Sequence, residues 1–273
     1  VFGELDRPLL LALVNINSPM RLDARMAEAM LQYLRAGQAI LLTPGVLMGM
    51  TAPVTPAGAL VQGLAELMGV ATIAQVIRPG APLLIGTGGF GADLRCGGGG
   101  FGRPENTLGT LLGAQLARRL KLPFRCSAMV TGSRRPDCRS GYERMMTALS
   151  AWQAGVHCVL QGMGILDNIN AMCYEQFIID AEIWGYIRRL SQPVVVDKDH
   201  LAQQLIEEGD GNYLMADHTV RYMRQEIHEP TLAPTASYDS WLETGGRDVV
   251  QGAASLMEKM LVQSHSPSLP DDI

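Results

Sequence analysis

The sequence predicts an α/β protein built as a (β/α)8 barrel, with only about five βα units in this chain and a helical appendage behind them. Three observations carry that reading. Short, continuously apolar runs alternate with longer helical patterns, as expected of parallel strands buried on both faces. Consecutive strands begin roughly 29 to 44 residues apart, the spacing of repeated βα units. Each strand also ends in a polar or glycine-rich cluster: Asn15 to Pro19, Thr43-Pro44-Gly45, Gly86 onward, Thr131-Gly132-Ser133, and Gln161-Gly162-Met163-Gly164. A doubly wound sheet, the competing architecture, gathers its ligand contacts at one switch point. Polar loops after every strand favour a barrel, whose active face is built from all of them.

The elements follow in order. Residues 9–16, "LLLALVNI", read as the first strand, and residues 22–35 carry helical spacing. "AILL" at 39–42 is the second strand. A long apolar helix spans 57–76, opened by Thr55-Pro56, an N-cap followed by proline in the first turn. Residues 82–85 form the third strand, followed by the glycine-rich stretch and a helix from about 105 to 120. A strand at 124–130, a helix at 140–154, the strand "CVLQ" at 158–161 and a helix at 171–190 complete the units. Beyond Leu190 the chain turns polar, with His200, His218, His228 and the tail "SHSPSLPDDI". The expected division is therefore residues 1–192 for the barrel units and 193–273 for a helical extension.

Composition narrows the function. Hydrophobic residues make up 47% and charged residues 18% of 273, enough for a large core. The formal net charge of −5 argues against nucleic acid and anionic membrane surfaces as partners. No apolar run reads as long enough for a membrane-spanning helix, and no basic-then-apolar leader opens the chain. Five cysteines without C-x-x-C spacing fit free thiols in a reducing cytoplasm.

Residues 86–102, "GTGGFGADLRCGGGGFG", begin with a letter-perfect G-x-G-x-x-G after a strand. A dinucleotide loop opens directly into a helix, and here the helical pattern resumes only near Glu105. The stretch reads instead as a long βα loop able to lie against a flat ligand. A mutual ion pair is the default for its charges, Asp93 and Arg95. "TGSRRPDCRSGYE", at 131–143, is the richest segment. Asp137 can cap the following helix, while Tyr142 and Glu143 can meet a cation through a ring face and a carboxylate; the residues leave both readings open. In "FIIDAEIWGYIRR", Asp180 and Glu182 do not share a helix face, and one buried beside an arginine such as Arg188 is the expectation. No histidine or cysteine spacing suits a metal, and no nucleophile elbow is present. An enzyme of this composition would draw its reactive atom from a cofactor or a partner.

The segments "NINSPM", "GMTAPVTPAGALVQGLAELMGVATIAQVIRPGAPLLIG", "GFGRPENTLGTLLGAQLARRLKLP", "PDCRSGYERMMTALSAWQAG", "FIIDAEIWGYIRRL", "GNYLMADHTVRYMRQEIHEPTL" and "YDSWLETGG" together resemble the trimethylamine methyltransferase family, in order and over nearly the whole chain. The resemblance implies a corrinoid-dependent methyltransferase on a (β/α)8 barrel, moving a methyl group from a quaternary or tertiary methylated amine to the Co(I) of a separate corrinoid protein. It also implies more barrel before Val1, in keeping with the missing initiator Met and the five-strand count. No pyrrolysine is written in the chain, which points to relatives acting on quaternary amines such as glycine betaine. Where the resemblance leads one to expect D-x-Q-x-G-Y-E, the chain has Asp137-Cys138-Arg139-Ser140-Gly141-Tyr142-Glu143, and Arg139 could pair a substrate carboxylate.

The expected site is then Glu143, Tyr142 and Asp137 around the ammonium, with Glu105, Arg139 and Gln161 on the substrate. Gly88, Gly89, Asp93 and Arg95 would lie against the corrin, and no protein-bound metal is expected. The expected partners are a corrinoid protein, a small methylated amine and further copies of the chain, with no nucleic acid or membrane. The alternative is a non-catalytic subunit that binds a corrinoid protein or a methylated amine.

Overall fold

A computed structural model describes residues 7–86, 90–209, 211–232 and 237–263. Strand β1 (Leu11–Ile16) leads into α1 (Ala24–Arg35), whose first turn is capped by the Asp23 carboxylate accepting from the Met26 amide. Then follow β2 (Ala39–Pro44), α2 (Pro56–Ile77) and β3 (Leu83–Gly86). Thr55 caps α2 through the Gly58 amide, with Pro56 in the first turn as the sequence indicates. Within the glycine-rich stretch, β4 (Ala92–Asp93) and β5 (Gly98–Gly99) pair antiparallel as a small ribbon. After it come α3 (Pro104–Arg119), β6 (Phe124–Ser127), α4 (Cys138–Gln153) and β7 (Cys158–Leu160). A second ribbon, β8 (Ile165–Leu166) with β9 (Ala171–Met172), precedes α5 (Tyr174–Leu190). The remainder is helical: α6 (Lys198–Leu201), α7 (Gln203–Glu208), α8 (Asp217–Glu226), α9 (Tyr238–Glu243) and α10 (Val249–Gln263).

Five strands form one parallel sheet in the order β1-β2-β3-β6-β7. The order never reverses, so there is no switch point of the doubly wound kind. Right-handed crossovers then set α1 to α4 on one face. There Val14, Ile40, Leu42, Ile85, Phe124 and Cys126 meet Met30, Leu34, Leu67 and Val70 in the main core. The sheet is open: among the described residues no closed barrel forms. On β1, Ala12, Val14 and Ile16 are buried, whereas Leu11 and Leu13 face outward and are exposed.

Several boundaries differ from the sequence reading, each for a local reason. The sheet strand β6 stops at Ser127 because Met129 takes a left-handed φ of 55°, and β7 stops before Gln161, at φ 59°. The helix expected from residue 171 starts at Tyr174, since Ala171 and Met172 are used by the β8–β9 ribbon. Helix α2 is more extensively apolar than the sequence reading gives: its 22 residues are long and apolar enough, by length and composition, to cross a membrane. Its inner residues Leu67, Val70 and Ala74 instead pack on the sheet.

Candidate functional site

The carboxyl ends of the five strands point to one rim, and the loops after β3, β6 and β7 meet there. Their meeting point is Glu143, on the second turn of α4 and almost fully buried. Its Oε2 accepts from the Thr131 hydroxyl at 2.6 Å and the Gly132 amide at 2.9 Å, and its Oε1 accepts from Arg139 Nε at 2.8 Å. Burial pushes this carboxyl up, but the donors outweigh it and hold it below the usual carboxylate range. Arg139 is raised in turn by Glu143. A Cβ at residue 102 would collide with the Glu143 carboxylate, so glycine is what lets the stretch after β5 close over it. The neighbouring Phe101 amide donates to Asn168 Oδ1 at 3.3 Å, and the Asn168 amide donates to the Thr131 carbonyl at 2.9 Å. Asp167, Asn168 and Ile169 all take positive φ, a strained run of the type that gathers at ligand sites.

A second cluster lies on the face of the sheet turned away from the helices. Register puts Asn15 beside Thr43, and Arg125 between Gly86 and Cys158. Since Leu42 pairs with Ile85, Thr43 stands next to Gly86 in the same row. A Cβ on Gly86 would lie 3.0 Å from Arg125 Cδ and 3.1 Å from Thr43 Oγ1. The missing side chain therefore gives the Arg125 chain its path across the row. Arg125 is only 2% exposed; its Nη2 donates to Gln161 Oε1 at 2.8 Å, and the Ser127 hydroxyl reaches the same oxygen at 2.8 Å. Burial lowers its pKa from the usual arginine value. Among the described residues the buried Thr43 hydroxyl has no hydrogen-bond partner.

Other expected residues have other surroundings. Asp137 caps α4 through the Ser140 amide at 2.8 Å and accepts from Ser133 Oγ at 2.7 Å; these two bonds hold its carboxyl low. Tyr142 is 60% exposed, so its ring does not stand beside the buried Glu143 carboxylate as a cage wall would. Glu105 is exposed in the first turn of α3. Asp93 does not pair with the Arg95 side chain: it binds Arg103 at 2.6 Å and takes the Arg95 backbone amide, both of which lower its pKa, while Arg95 is exposed. Gly88 and Gly89 lie outside the described residues. Among the described residues no cluster of three or more His, Cys, Asp or Glu could hold a metal.

Asp180, singled out in the sequence, and two groups that were not, Arg144 and Glu66, brace the rim. Asp180 is buried, but its partner is Arg144 of α4 at 2.6 Å and not Arg188. Arg144 also reaches the Met129 and Ile165 carbonyls, and Asp180 accepts from the Gly164 amide and Gln176. Burial pushes the Asp180 carboxyl up to about 6 against these donors. On the other side Glu66, the single charged residue of α2, is buried. It accepts from the Ser18 hydroxyl at 2.6 Å, the Met20 amide at 3.1 Å and Gln62 at 2.9 Å, which ties down the loop after β1.

Known proteins give this geometry a context. Residues 2–273 match the family model described as trimethylamine methyltransferase (MTTB). The chain is 34% identical over 270 residues to a glycine betaine methyltransferase of Desulfitobacterium hafniense (strain Y51), covering 98% of this chain and 56% of that protein. It is 26% identical over 268 residues to trimethylamine methyltransferase MttB2 of Methanosarcina mazei, covering 98% of this chain and 54% of the relative. The trimethylamine methyltransferase MttB of Desulfitobacterium hafniense (strain DSM 10664 / DCB-2) matches at 26% over 270 residues, again with 98% and 54% covered. The chain thus spans about half the length of the curated relatives it matches.

Proposed function

The chain belongs to the trimethylamine methyltransferase family, and from that premise we propose that it serves a methyltransferase taking a methyl group from a quaternary or tertiary methylated amine to the Co(I) of a separate corrinoid protein. In this reading the sheet is part of a (β/α)8 barrel, residues 1–192 supplying its units and 193–273 the helical extension. Support comes from the strand order, which winds in one direction, and from the exposed Leu11 and Leu13 on the face away from the helices.

The substrate end rests on one observation, the buried Arg125 guanidinium held by Gln161 on the face of the sheet away from the helices. A guanidinium suits a planar carboxylate, and the Thr43 hydroxyl in the same row offers a further donor. That favours a carboxylate-bearing amine of the glycine betaine class over trimethylamine. Arg139, expected to pair the carboxylate, binds Glu143 through Nε and keeps its side chain half exposed. Glu143 and Asp137 then act by fixing the rim loops, while Tyr142 and Glu105 stand exposed near the starts of α4 and α3.

A docked corrinoid protein would supply the cobalt nucleophile, and a quaternary or protonated tertiary ammonium would then leave as a neutral amine. The residues of this chain orient the ammonium on the line of attack and keep water from it. The β4–β5 ribbon suits a bulky flat partner, because Leu94 and Arg95 at its turn are exposed while Asp93 and Arg103 pin its base. Arg95 would meet the polar edge of the corrin.

The test is a screen of glycine betaine, carnitine, proline betaine, choline and trimethylamine against cob(I)alamin, read by methylcobalamin absorbance. Turnover is expected with a carboxylate-bearing amine. Arg125→Gln should raise KM for that amine at least ~10-fold, as loss of a charge-assisted hydrogen bond predicts, with little effect on choline. Binding of an amine without any turnover would instead support a non-catalytic subunit. An equal loss on both amine classes would overturn the role given to Arg125.

A further inference from the structure

We propose that residues 191–232 form an arm that docks on the outer face of α2 of a second copy of this chain. Three observations converge on this. Among the described residues of the arm none is buried, although it spans α6, α7 and α8. Its shape comes from polar bonds: Asp199 receives Arg221 at 2.8 Å and the Tyr222 hydroxyl, and Asp197 takes the His200 amide. The apolar side chains are turned outward, with Val194 87%, Leu214 77% and Met215 80% exposed. A segment that holds its form yet fully buries none of its large apolar groups has the anatomy of an interface half.

The second observation is a matching surface on the body. Helix α2 is apolar on every side, and the outer side chains Val61 and Val76 are 70% and 77% exposed. Its one charge, Glu66, is turned inward. A helix apolar all round is normally covered all round.

The third is charge. Residues 1–190 hold 17 basic and 13 acidic side chains, whereas residues 191–232 hold 3 basic and 8 acidic. The flanks of α2 include exposed Arg25 and Arg35 on α1 and exposed Arg118, Arg119 and Lys121 at the end of α3. An acidic arm and a basic body on the same chain attract across copies, which favours a second copy over an acidic partner protein. The arm cannot swing freely, because Arg189 binds Glu226 at 2.9 Å and Glu182 accepts from the Thr231 and Leu232 amides. It projects from a fixed root, as a docking arm must.

Sedimentation of the purified chain, together with amine cross-linking of mixed light and heavy isotope-labelled chains, tests this. The expected result is a dimer or closed ring in the micromolar range, with Lys198–Lys121 cross-links joining one light and one heavy chain. Leu214→Glu with Met215→Glu, and separately Val61→Glu, should each raise the dissociation constant at least ~10-fold. Glu207→Lys with Glu208→Lys should weaken association and its salt dependence while leaving the fold, followed by circular dichroism, intact. A chain that stays monomeric at about 100 µM, or associates with these variants as before, overturns the proposal. So does protection of the arm only on lipid vesicles or only when a corrinoid protein is added.

Discussion

Glu143 accepts three donors, two from the loop after β6 and one from its own helix, and each favours the charged form. Its pKa is lower in the folded chain than in the unfolded one. The stability it contributes is therefore present above the unfolded carboxylate range near ~4.3 and lost as pH falls through the folded value. Glu143→Gln should flatten that acid limb in denaturant titrations across pH 3 to 6 and lower stability at neutral pH by about 1–3 kcal/mol. The residue stood out in the sequence because the "D-x-x-x-G-Y-E" block follows a strand and opens a helix. Its bonding did not, since Thr131 and Gly102 reach it only through the fold. Arg125 was illegible for a related reason: inside "PFRCSAMV" it reads as one polar interruption of a strand. Only the pairing with Gly86, 39 positions earlier, shows where its side chain runs.

At the level of elements, α4 and α5 are joined through Arg144 and Asp180, both fully buried. Sequence proximity suggested Arg188, but eight positions along a helix separate two side chains by about 12 Å. The true partner lies 36 positions away on a neighbouring helix. Asp180→Asn should destabilise the chain by about 3–5 kcal/mol at pH 7, because it leaves Arg144 buried without its counter-charge. With the folded pKa raised to about 6, the wild-type carboxyl keeps a proton that the unfolded chain loses between about pH 4 and 6. Wild-type stability from this group thus falls as pH rises across that window, so the gap to the variant should be wider at pH 5 than at pH 7, measured by urea unfolding. The strands and helices themselves were legible almost throughout, since their apolar periods are local. The two ribbons were not: each is two residues a side and rests on glycine or on a strained turn.

For the whole molecule, parallel winding was readable from the repeated spacing, and the strand order agrees by never reversing. Closure into a barrel was expected from the polar loops after each strand, whereas among the described residues the sheet is open. The proposed barrel makes a specific demand on β1. Leu11→Lys with Leu13→Lys should leave the thermal midpoint of this 273-residue chain nearly unchanged, since both side chains are exposed. In a longer protein that completes the barrel, the same pair should cost at least ~3 kcal/mol, the burial energy of two leucines. Equal effects in both would count against closure over that face.

The Glu143 carboxylate has a mechanical consequence. It touches the loop after β6 directly, faces the glycine-rich stretch at Gly102, and through Thr131 and Asn168 adjoins the strained turn after β7. None of these segments can lift away without uncovering a buried charge or breaking a bond to its neighbour. The rim therefore breathes as one cooperative unit, not loop by loop.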